Sequence, residues 1–271
     1  AGGFGTDVFG PLRFPVLRAP DFDDPRCFDQ AVAMVAAHAS SLAAVVIEPL
    51  VQGAAGIMLA APADVSRLGE ACRTHGVLLV ADEVATGFGR TGTLFASEQC
   101  GIRPDLLCLG KGLTGGYLPM SATVASQRVF DGFEGPDLSD RTLYHGHSYS
   151  GNALAAAVAL RHLQLVTEGA VLKNVRARAA QLEGLLRREI GGHGGVRSVR
   201  QRGLMIGVEL APPAEGLRWG RQVCAAAVRR GVLLRPIGDV VVVMPPLTVT
   251  ASEVERIVTT LAEAIAEVCG G

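Results

Sequence analysis

The chain has 271 residues, 49% of them hydrophobic, which is enough to bury the core of one large α/β domain or two modest ones and excludes a disordered polypeptide. Its 25 Lys and Arg residues nearly balance its 26 Asp and Glu residues, which argues against a nucleic-acid-binding protein with a basic surface. The mean hydropathy is +0.32, yet no apolar run approaches the roughly 18 residues that a membrane-spanning helix needs.

The first half of the chain alternates predicted helices with short apolar strands. Residues 1–25 are rich in Gly, Pro and Asp and are predicted to be irregular. Beyond them we predict, in chain order, a helix at 29–43, a strand at 44–47, a helix at 62–76 and strands at 77–81, 106–109 and 121–125. Because these strands are apolar on both faces, they indicate a parallel sheet that is covered by other layers on both sides.

Beyond Asn152 the pattern changes. We predict helices at 153–166, 171–188 and 253–268 and strands at 204–210, 232–235 and 240–244. The first of these helices carries Ala and Leu on all sides, so we expect it to be buried. We divide the chain into a large domain at 1–164 and a smaller α+β domain at 165–271.

The six cysteines lie far apart in the sequence and include no CxxC pair. In a chain of this size they are typical of reduced core residues in a cytoplasmic protein and not of a disulfide framework. His145 and His147 lack nearby third and fourth ligands for zinc, so we predict no metal site. No basic segment followed by an apolar one opens the chain, and we expect no signal peptide.

Two phosphate-binding motifs are matched only in part. Residues 87–92 read GFGRTG, but a dinucleotide site needs its first glycine at the strand end and a helix that opens from the last one. Residues 82–86 separate this motif from the preceding strand, and no helical pattern follows at once. Lys111 is followed by Gly112, where a P-loop requires Ser or Thr. Neither a dinucleotide site nor a P-loop is therefore predicted.

Asp82 and Lys111 each lie at the carboxyl end of a predicted strand, at the edge where open α/β sheets bind ligands. Each residue alone would be interpreted as a solvated turn or surface side chain. Together, with Gly110 and Gly112 allowing the backbone to approach a ligand closely, they suit pyridoxal phosphate. A lysine amine forms a Schiff base with the aldehyde of this cofactor, and a carboxylate keeps the pyridine nitrogen protonated. A magnesium or phosphate site is a less economical interpretation.

The segments around this pair resemble a known family. Residues 77–92, VLLVADEVATGFGRTG, are similar to the segment of class III (ω-type) aminotransferases that contacts the cofactor nitrogen, and residues 104–119, PDLLCLGKGLTGGYLP, resemble their lysine segment. Within the class, residues 111–119 and 144–152, YHGHSYSGN, are most similar to members that act on 8-amino-7-oxononanoate in biotin synthesis. The resemblance extends from about residue 1 to the C-terminus.

The resemblance implies an α/β fold of the PLP-dependent transferase fold type I, with a mostly parallel sheet in the large domain, its first strands missing, and a smaller C-terminal α+β domain. Lys111 would be the catalytic residue and would bind the cofactor covalently, and Asp82 would pair with its ring nitrogen. His147 and Ser148 match residues that reach the cofactor phosphate from the neighbouring subunit, so the resemblance also implies a homodimer. Ser148 stands where threonine is more usual and keeps the hydroxyl group.

The substrate side is also implied by the resemblance. Gly146 would lie next to the substrate, and Arg235 matches the arginine that binds the substrate carboxylate. Glu48 and Gln52 follow the first strand and are secondary candidates at the same edge. The partners are then small molecules, an amino donor and 8-amino-7-oxononanoate, which is converted to 7,8-diaminononanoate. Adenosylmethionine and lysine both stay open as the donor.

Members of the class carry further features upstream of the point that matches Ala1. These are a Gly-Ser phosphate clip at a helix start, aromatic pocket residues and the first strands of the sheet, and none of them is in the printed sequence. We therefore expect this chain to correspond to the C-terminal part of such an enzyme. Two alternatives stay open: another class III ω-aminotransferase, and a non-catalytic fragment that lacks the phosphate clip.

Overall fold

The structure, a computed structural model, describes residues 15–270, so residues 1–14 of the predicted irregular segment lie outside the described part. The helices are α1 (Cys27–His38), α2 (Pro62–His75), α3 (Ala96–Cys100), α4 (Gln127–Asp131), α5 (Ala153–Glu168), α6 (Val171–Glu189), α7 (Trp219–Arg229) and α8 (Ala251–Cys269). The strands are β1 (Ala44–Ile47), β2 (Val51–Gln52), β3 (Met58–Leu59), β4 (Leu78–Asp82), β5 (Leu106–Leu109), β6 (Ala122–Ala125), β7 (Val196–Arg202), β8 (Met205–Leu210), β9 (Arg235–Ile237) and β10 (Val240–Val243). A short 3-10 helix spans Lys111–Thr114.

The first sheet is mixed, with strand order β1-β4-β5-β6. Strands β1, β4 and β5 run parallel, and β6 is antiparallel to β5. The four predicted strands of this region are all present, with bounds that differ by one residue at most. In the register of β4 and β5, Asp82 stands opposite Cys108, which places the ends of both strands at one edge.

The strands of this sheet differ in burial: β4 is mostly buried, whereas β6 is mostly exposed. One face contributes to a buried cluster with residues of α1 and α2, among them Val35, Leu68 and Leu79. On β1 and β6, by contrast, Val46 is 69% exposed and Val124 is 53% exposed. The expectation that both faces are covered is therefore wrong at these positions in the described part of the chain.

Helix α5 is also less buried than its composition suggests. Ala155, Ala159 and Val166 lie on the buried side, at spacings of about one and two helical turns. Leu154 and Leu160 are 75% and 59% exposed. The prediction of a fully buried helix is wrong because an apolar side chain in a helix is covered only where a neighbouring element packs on its face.

The second sheet is antiparallel and has the order β7-β8-β10-β9. Val241 and Val243 point into a cluster formed with α6, α7 and α8, whereas Val242 belongs to the cluster beside the first sheet. The alternation of side chains along a strand thus gives β10 a part in both cores. The predicted strand at 232–235 is displaced, because β9 begins only at Arg235.

The boundary between residues 164 and 165 falls inside α5, and the division into two domains stays a prediction. All six cysteines have free thiols in the structure, and burial raises the pKa of Cys72, Cys100 and Cys224 to about 11. Among residues 15–270, no helix combines the length and the apolar character required to cross a membrane.

A partly buried ion pair joins the second sheet to the β2–β3 hairpin. Arg200 donates to the carbonyl oxygens of Gly56 at 2.9 Å and Ile57 at 3.1 Å, and it also pairs with Glu209. Burial raises the pKa of Glu209, but the hydrogen bonds from Arg200 and Ser198 outweigh it, and the pKa lies below its ordinary value. The ionised carboxylate of Glu209 therefore stabilises the folded chain.

We expect Glu209→Gln to lower the free energy of unfolding by about 1 kcal/mol at neutral pH, because the partly buried pair loses its charge attraction. A carboxyl group with a lowered folded pKa contributes its stability above its unfolded pKa and loses it as the pH falls through the folded pKa. The difference between wild type and variant should therefore shrink in urea titrations below about pH 4.5. Glu183→Gln, which changes an exposed carboxylate 3.7 Å from Arg187, is the control and should have little effect at any pH. A constant difference down to low pH would contradict the prediction.

Candidate active site

Asp82 is the last residue of β4 and lies at the carboxyl edge of the first sheet. Its side chain is partly buried, and its Oδ1 accepts a hydrogen bond from the backbone N–H of Val84 at 3.0 Å. Within residues 15–270, its Oδ2 receives no hydrogen bond. The carboxylate is thus oriented by its own turn and keeps one oxygen for a further donor.

Lys111 follows the neighbouring strand β5 and opens the 3-10 helix. Gly110 is fully extended, and Lys111 itself has a φ of 42°, a left-handed conformation that is strained for a residue with a side chain. The side chain is exposed, and within the described residues its amine forms no hydrogen bond or ion pair. Because β4 and β5 are parallel neighbours, the structure brings Asp82 and Lys111 to adjacent strand ends at one edge.

The backbone around Lys111 packs closely on its neighbours. A Cβ at Gly112 would lie 3.1 Å from the ring of Phe88, and a Cβ at Gly115 would lie 2.9 Å from the ring of His162 on α5. Burial lowers the pKa of His162, so this ring is held neutral beneath the loop. The loop that carries Lys111 is therefore supported by the segment that follows Asp82 and by α5.

Glu83 is the residue of this region that the sequence analysis missed. Its side chain is fully buried, and its two oxygens accept from Thr86 Oγ1 at 2.7 Å, Ala96 N at 2.9 Å, and Ser97 N and Oγ at 2.7 and 2.6 Å. Successive residues along an extended chain place their side chains on opposite sides. Asp82, the last residue of β4, is therefore partly exposed at the strand end, whereas Glu83, the next residue, is buried in the interior. The adjacent pair of acidic residues at a strand end was the signal for this second, structural carboxylate.

The segment predicted to reach the cofactor phosphate is exposed. Gly146, His147 and Ser148 precede α5, and His147 Nδ1 accepts a hydrogen bond from Tyr149 N at 3.2 Å. In the part of the chain that the structure describes, no hydrogen bond joins this segment to the strand ends at Asp82 and Lys111. The roles of these three residues stay predictions.

Arg235 begins β9 in the second sheet, where it pairs with Val242 of β10. Its side chain is exposed and has no ion pair within the described residues. Its role as the carboxylate-binding residue stays a prediction. It does lie on a sheet other than that of Asp82 and Lys111, so a substrate that touches all three would have to reach from one sheet to the other.

Glu48 and Gln52 act locally on the backbone. Glu48 Oε2 accepts from Gly53 N at 3.0 Å, and Gln52 Oε1 accepts from Phe22 N at 3.1 Å. Neither side chain is hydrogen-bonded to Asp82 or Lys111. The two residues stay secondary candidates for the site.

The profile of the family described as "Aminotransferase class-III" matches residues 11–265, which is most of the chain and includes both strand ends of the site. The chain belongs to the class III aminotransferases. The resemblance on which the sequence analysis rested is thereby confirmed for the family.

Class III aminotransferases of known name and structure are similar to the chain over most of its length. Adenosylmethionine-8-amino-7-oxononanoate aminotransferase of Nitratidesulfovibrio vulgaris is 42% identical over 95% of this chain and 51% of its own length. A crystal structure of the enzyme of that name from Methanocaldococcus jannaschii has a TM-score of 0.92 at 34% identity, covering 97% of this chain and 62% of that one. An amine transaminase from an uncultivated Pseudomonas species, solved in the PLP-bound form, has a TM-score of 0.83 at 38% identity, covering 90% of this chain and 56% of that one.

Together with the mixed sheet at the candidate site, these likenesses confirm the predicted α/β class and fold type I. The chain spans between about half and two thirds of the length of the relatives that it matches.

Proposed function

We propose that this chain carries the cofactor-binding lysine and the ring-nitrogen carboxylate of a pyridoxal-phosphate-dependent aminotransferase that converts 8-amino-7-oxononanoate to 7,8-diaminononanoate. The observation that carries the proposal is the position of Asp82 and Lys111 at the ends of adjacent parallel strands. Relatives named for this substrate at 30–42% identity support the choice of acceptor.

The residues at this edge suit pyridoxal phosphate. When bound, this cofactor draws electrons from the substrate carbon next to the reacting nitrogen and so makes that carbon's proton acidic. Asp82, with one carboxylate oxygen not engaged by the described residues, would hold the ring nitrogen in its protonated form. Lys111, exposed and unpaired within residues 15–270, would bind the aldehyde carbon through its amine and then hold and return the substrate proton.

The substrate and the assembly follow as further parts of the proposal. Arg235 would bind the carboxylate at the far end of 8-amino-7-oxononanoate, because a guanidinium binds a carboxylate through two parallel hydrogen bonds. Gly146 would border the substrate, and His147 and Ser148 would contact the cofactor phosphate of a partner subunit in a homodimer. Their exposure in the single chain is compatible with a contact made in trans. We also propose a cytoplasmic location.

The test is a mass-spectrometric assay of the full chain with pyridoxal phosphate, 8-amino-7-oxononanoate and either adenosylmethionine or lysine as donor. The expected product is 7,8-diaminononanoate, with one donor giving the higher rate. Amine transfer to other keto acids or aldehydes, but not to this acceptor, would favour another class III activity. Cofactor binding without turnover of any acceptor would favour the non-catalytic alternative.

We expect Asp82→Asn to lower kcat/KM by about 100-fold, because a neutral amide does not hold a ring nitrogen protonated as a carboxylate does. Asp105→Asn is a matched control. Asp105 directly precedes β5, at the amino ends of the parallel strands and away from the proposed site, and its Oδ2 accepts from Leu79 N at 3.0 Å. The control should retain activity within about threefold once differences in folding are corrected. Equal losses in the two variants would contradict the assignment of Asp82.

A further inference from the structure

The side chain of Arg90 is partly buried in the segment that follows Asp82. Its Nη1 donates a hydrogen bond to the carbonyl oxygen of Pro245 at 2.6 Å. Burial lowers the pKa of Arg90 to about 10, and within residues 15–270 no carboxylate forms an ion pair with it. A partly desolvated cation without an ion pair is costly, so the hydrogen bond that Arg90 does form to Pro245 matters for its position.

The segment 87–92 that contains Arg90 is docked tightly against the second half of the chain. The backbone oxygen of Arg90 accepts from Leu204 N at 3.0 Å, just before β8. A Cβ at Gly203, whose φ is +59°, would lie only 2.5 Å from that same oxygen. At the surface, Arg176 Nη1 donates to the backbone oxygen of Gly92 at 3.2 Å.

Arg90 also connects the two ends of the proposed substrate site. On one side, Phe88 supports Gly112 directly beside Lys111. On the other side, Pro245 follows β10, and β10 pairs with β9 at Arg235. Phe88 is two residues from Arg90 in the chain, so the Phe88–Gly112 contact and the Arg90–Pro245 hydrogen bond together link the lysine loop to the strand pair that carries Arg235.

We propose that Arg90 is a positioning residue that sets the separation between the amine of Lys111 and the guanidinium of Arg235. This separation determines how long a substrate can be when its reacting carbon lies at Lys111 and its carboxylate at Arg235. The inference rests on the proposed function, because it assigns a cause to the selection of a long-chain keto acid. Arg90 acts through Pro245 and the strand pair, and it does not touch the substrate.

The experiment compares Arg90→Met, Arg90→Lys and Arg176→Gln in the full chain with pyridoxal phosphate. Met removes the donor and the charge, Lys keeps both, and Arg176→Gln removes a surface contact to the same segment.

For Arg90→Met we expect KM for 8-amino-7-oxononanoate to rise about tenfold while kcat changes less than about threefold, because one hydrogen bond from a charged donor is lost. Turnover of a simple aldehyde without a carboxylate should be unchanged, since it does not use Arg235. Arg90→Lys should restore most of the KM, and Arg176→Gln should behave as wild type.

Hydrogen exchange gives a readout that does not depend on turnover. Arg90→Met should speed exchange at Leu204 and at residues 247–249, beside the lost contact, relative to Arg176→Gln. Unchanged exchange at these positions would overturn the proposal, and so would an equal loss of activity toward the acceptors with and without a carboxylate. Wild-type chain that transaminates aldehydes but shows no preference for a carboxylate would overturn it as well. If wild type transfers no amine to any acceptor, the proposed function fails instead, while the exchange data still decide whether Arg90 fixes the two segments.

Discussion

Under the proposed function, replacing Lys111 with alanine should lower the rate of amine transfer by on the order of 10⁴-fold or more, because the covalent link to the cofactor and the proton carrier would be lost together. Reduction with borohydride in the presence of pyridoxal phosphate, followed by peptide mapping, should place the cofactor on Lys111 in wild type. The same treatment of Lys111→Ala should leave the peptides that contain residues 104–119 unlabelled.

The chain offers a matched control, because Lys173 is its only other lysine. Lys173 is exposed on α6, so Lys173→Ala should keep both the activity and the label on Lys111. Label found on Lys173, or label retained in a peptide of Lys111→Ala, would contradict the assignment of the cofactor-binding lysine. An added exogenous amine such as methylamine should restore a fraction of the proton transfer in Lys111→Ala but not in a misfolded chain, which separates the chemical loss from a structural one.

Replacing Glu83 with alanine should lower the free energy of unfolding by about 3–5 kcal/mol. The carboxylate of Glu83 is the acceptor for four buried donors from Thr86, Ala96 and Ser97, and within residues 15–270 no other side chain accepts from them. Urea unfolding followed by circular dichroism measures the difference. Cofactor affinity should fall in parallel, since Glu83 holds the turn that directly follows Asp82.

Glu98→Ala is the control for this substitution. Glu98 lies on α3, the short helix that begins with the donors Ala96 and Ser97, but it is exposed, and within residues 15–270 its carboxylate accepts only from Phe95 N at 2.8 Å. Loss of a capping contact of this kind costs about 1 kcal/mol. Similar losses for Glu83→Ala and Glu98→Ala would show that the buried carboxylate is not the anchor described above.

The strand ends of the site could be predicted from the sequence because local chemistry marks them. Pro62 and Gly76 bound α2 as expected of a first-turn proline and a left-handed glycine, with a φ of 72° at Gly76. Runs of apolar residues marked β4 and β5, and the parallel order of these strands brings Asp82 and Lys111 to one edge. Family resemblance then supplied the chemistry.

Other parts could not be predicted because they depend on neighbours in space. β7 carries arginines at 197, 200 and 202, and the partly buried position of Arg200 follows from its partners Glu209 and Gly56, which the local pattern does not show. The exposure of leucines on α5 depends on which faces of this helix another element packs against, and the helix's own sequence does not show this. The sequence places Arg90 in a glycine motif but does not predict its hydrogen bond, because the acceptor, the carbonyl oxygen of Pro245, lies 155 positions away in the chain.

The alternation of side chains at the end of β4 limits which insertions and deletions this region can accept in evolution. Asp82 and Glu83 are neighbours in the chain, yet Asp82 is partly exposed at the strand end whereas Glu83 is fully buried. Inserting or deleting a single residue upstream in that strand would exchange the two carboxylates, directing Asp82, the proposed partner of the ring nitrogen, inward and the buried Glu83 outward. Point substitutions of the apolar residues in β4 leave this order intact, whereas a change of length removes it in one event.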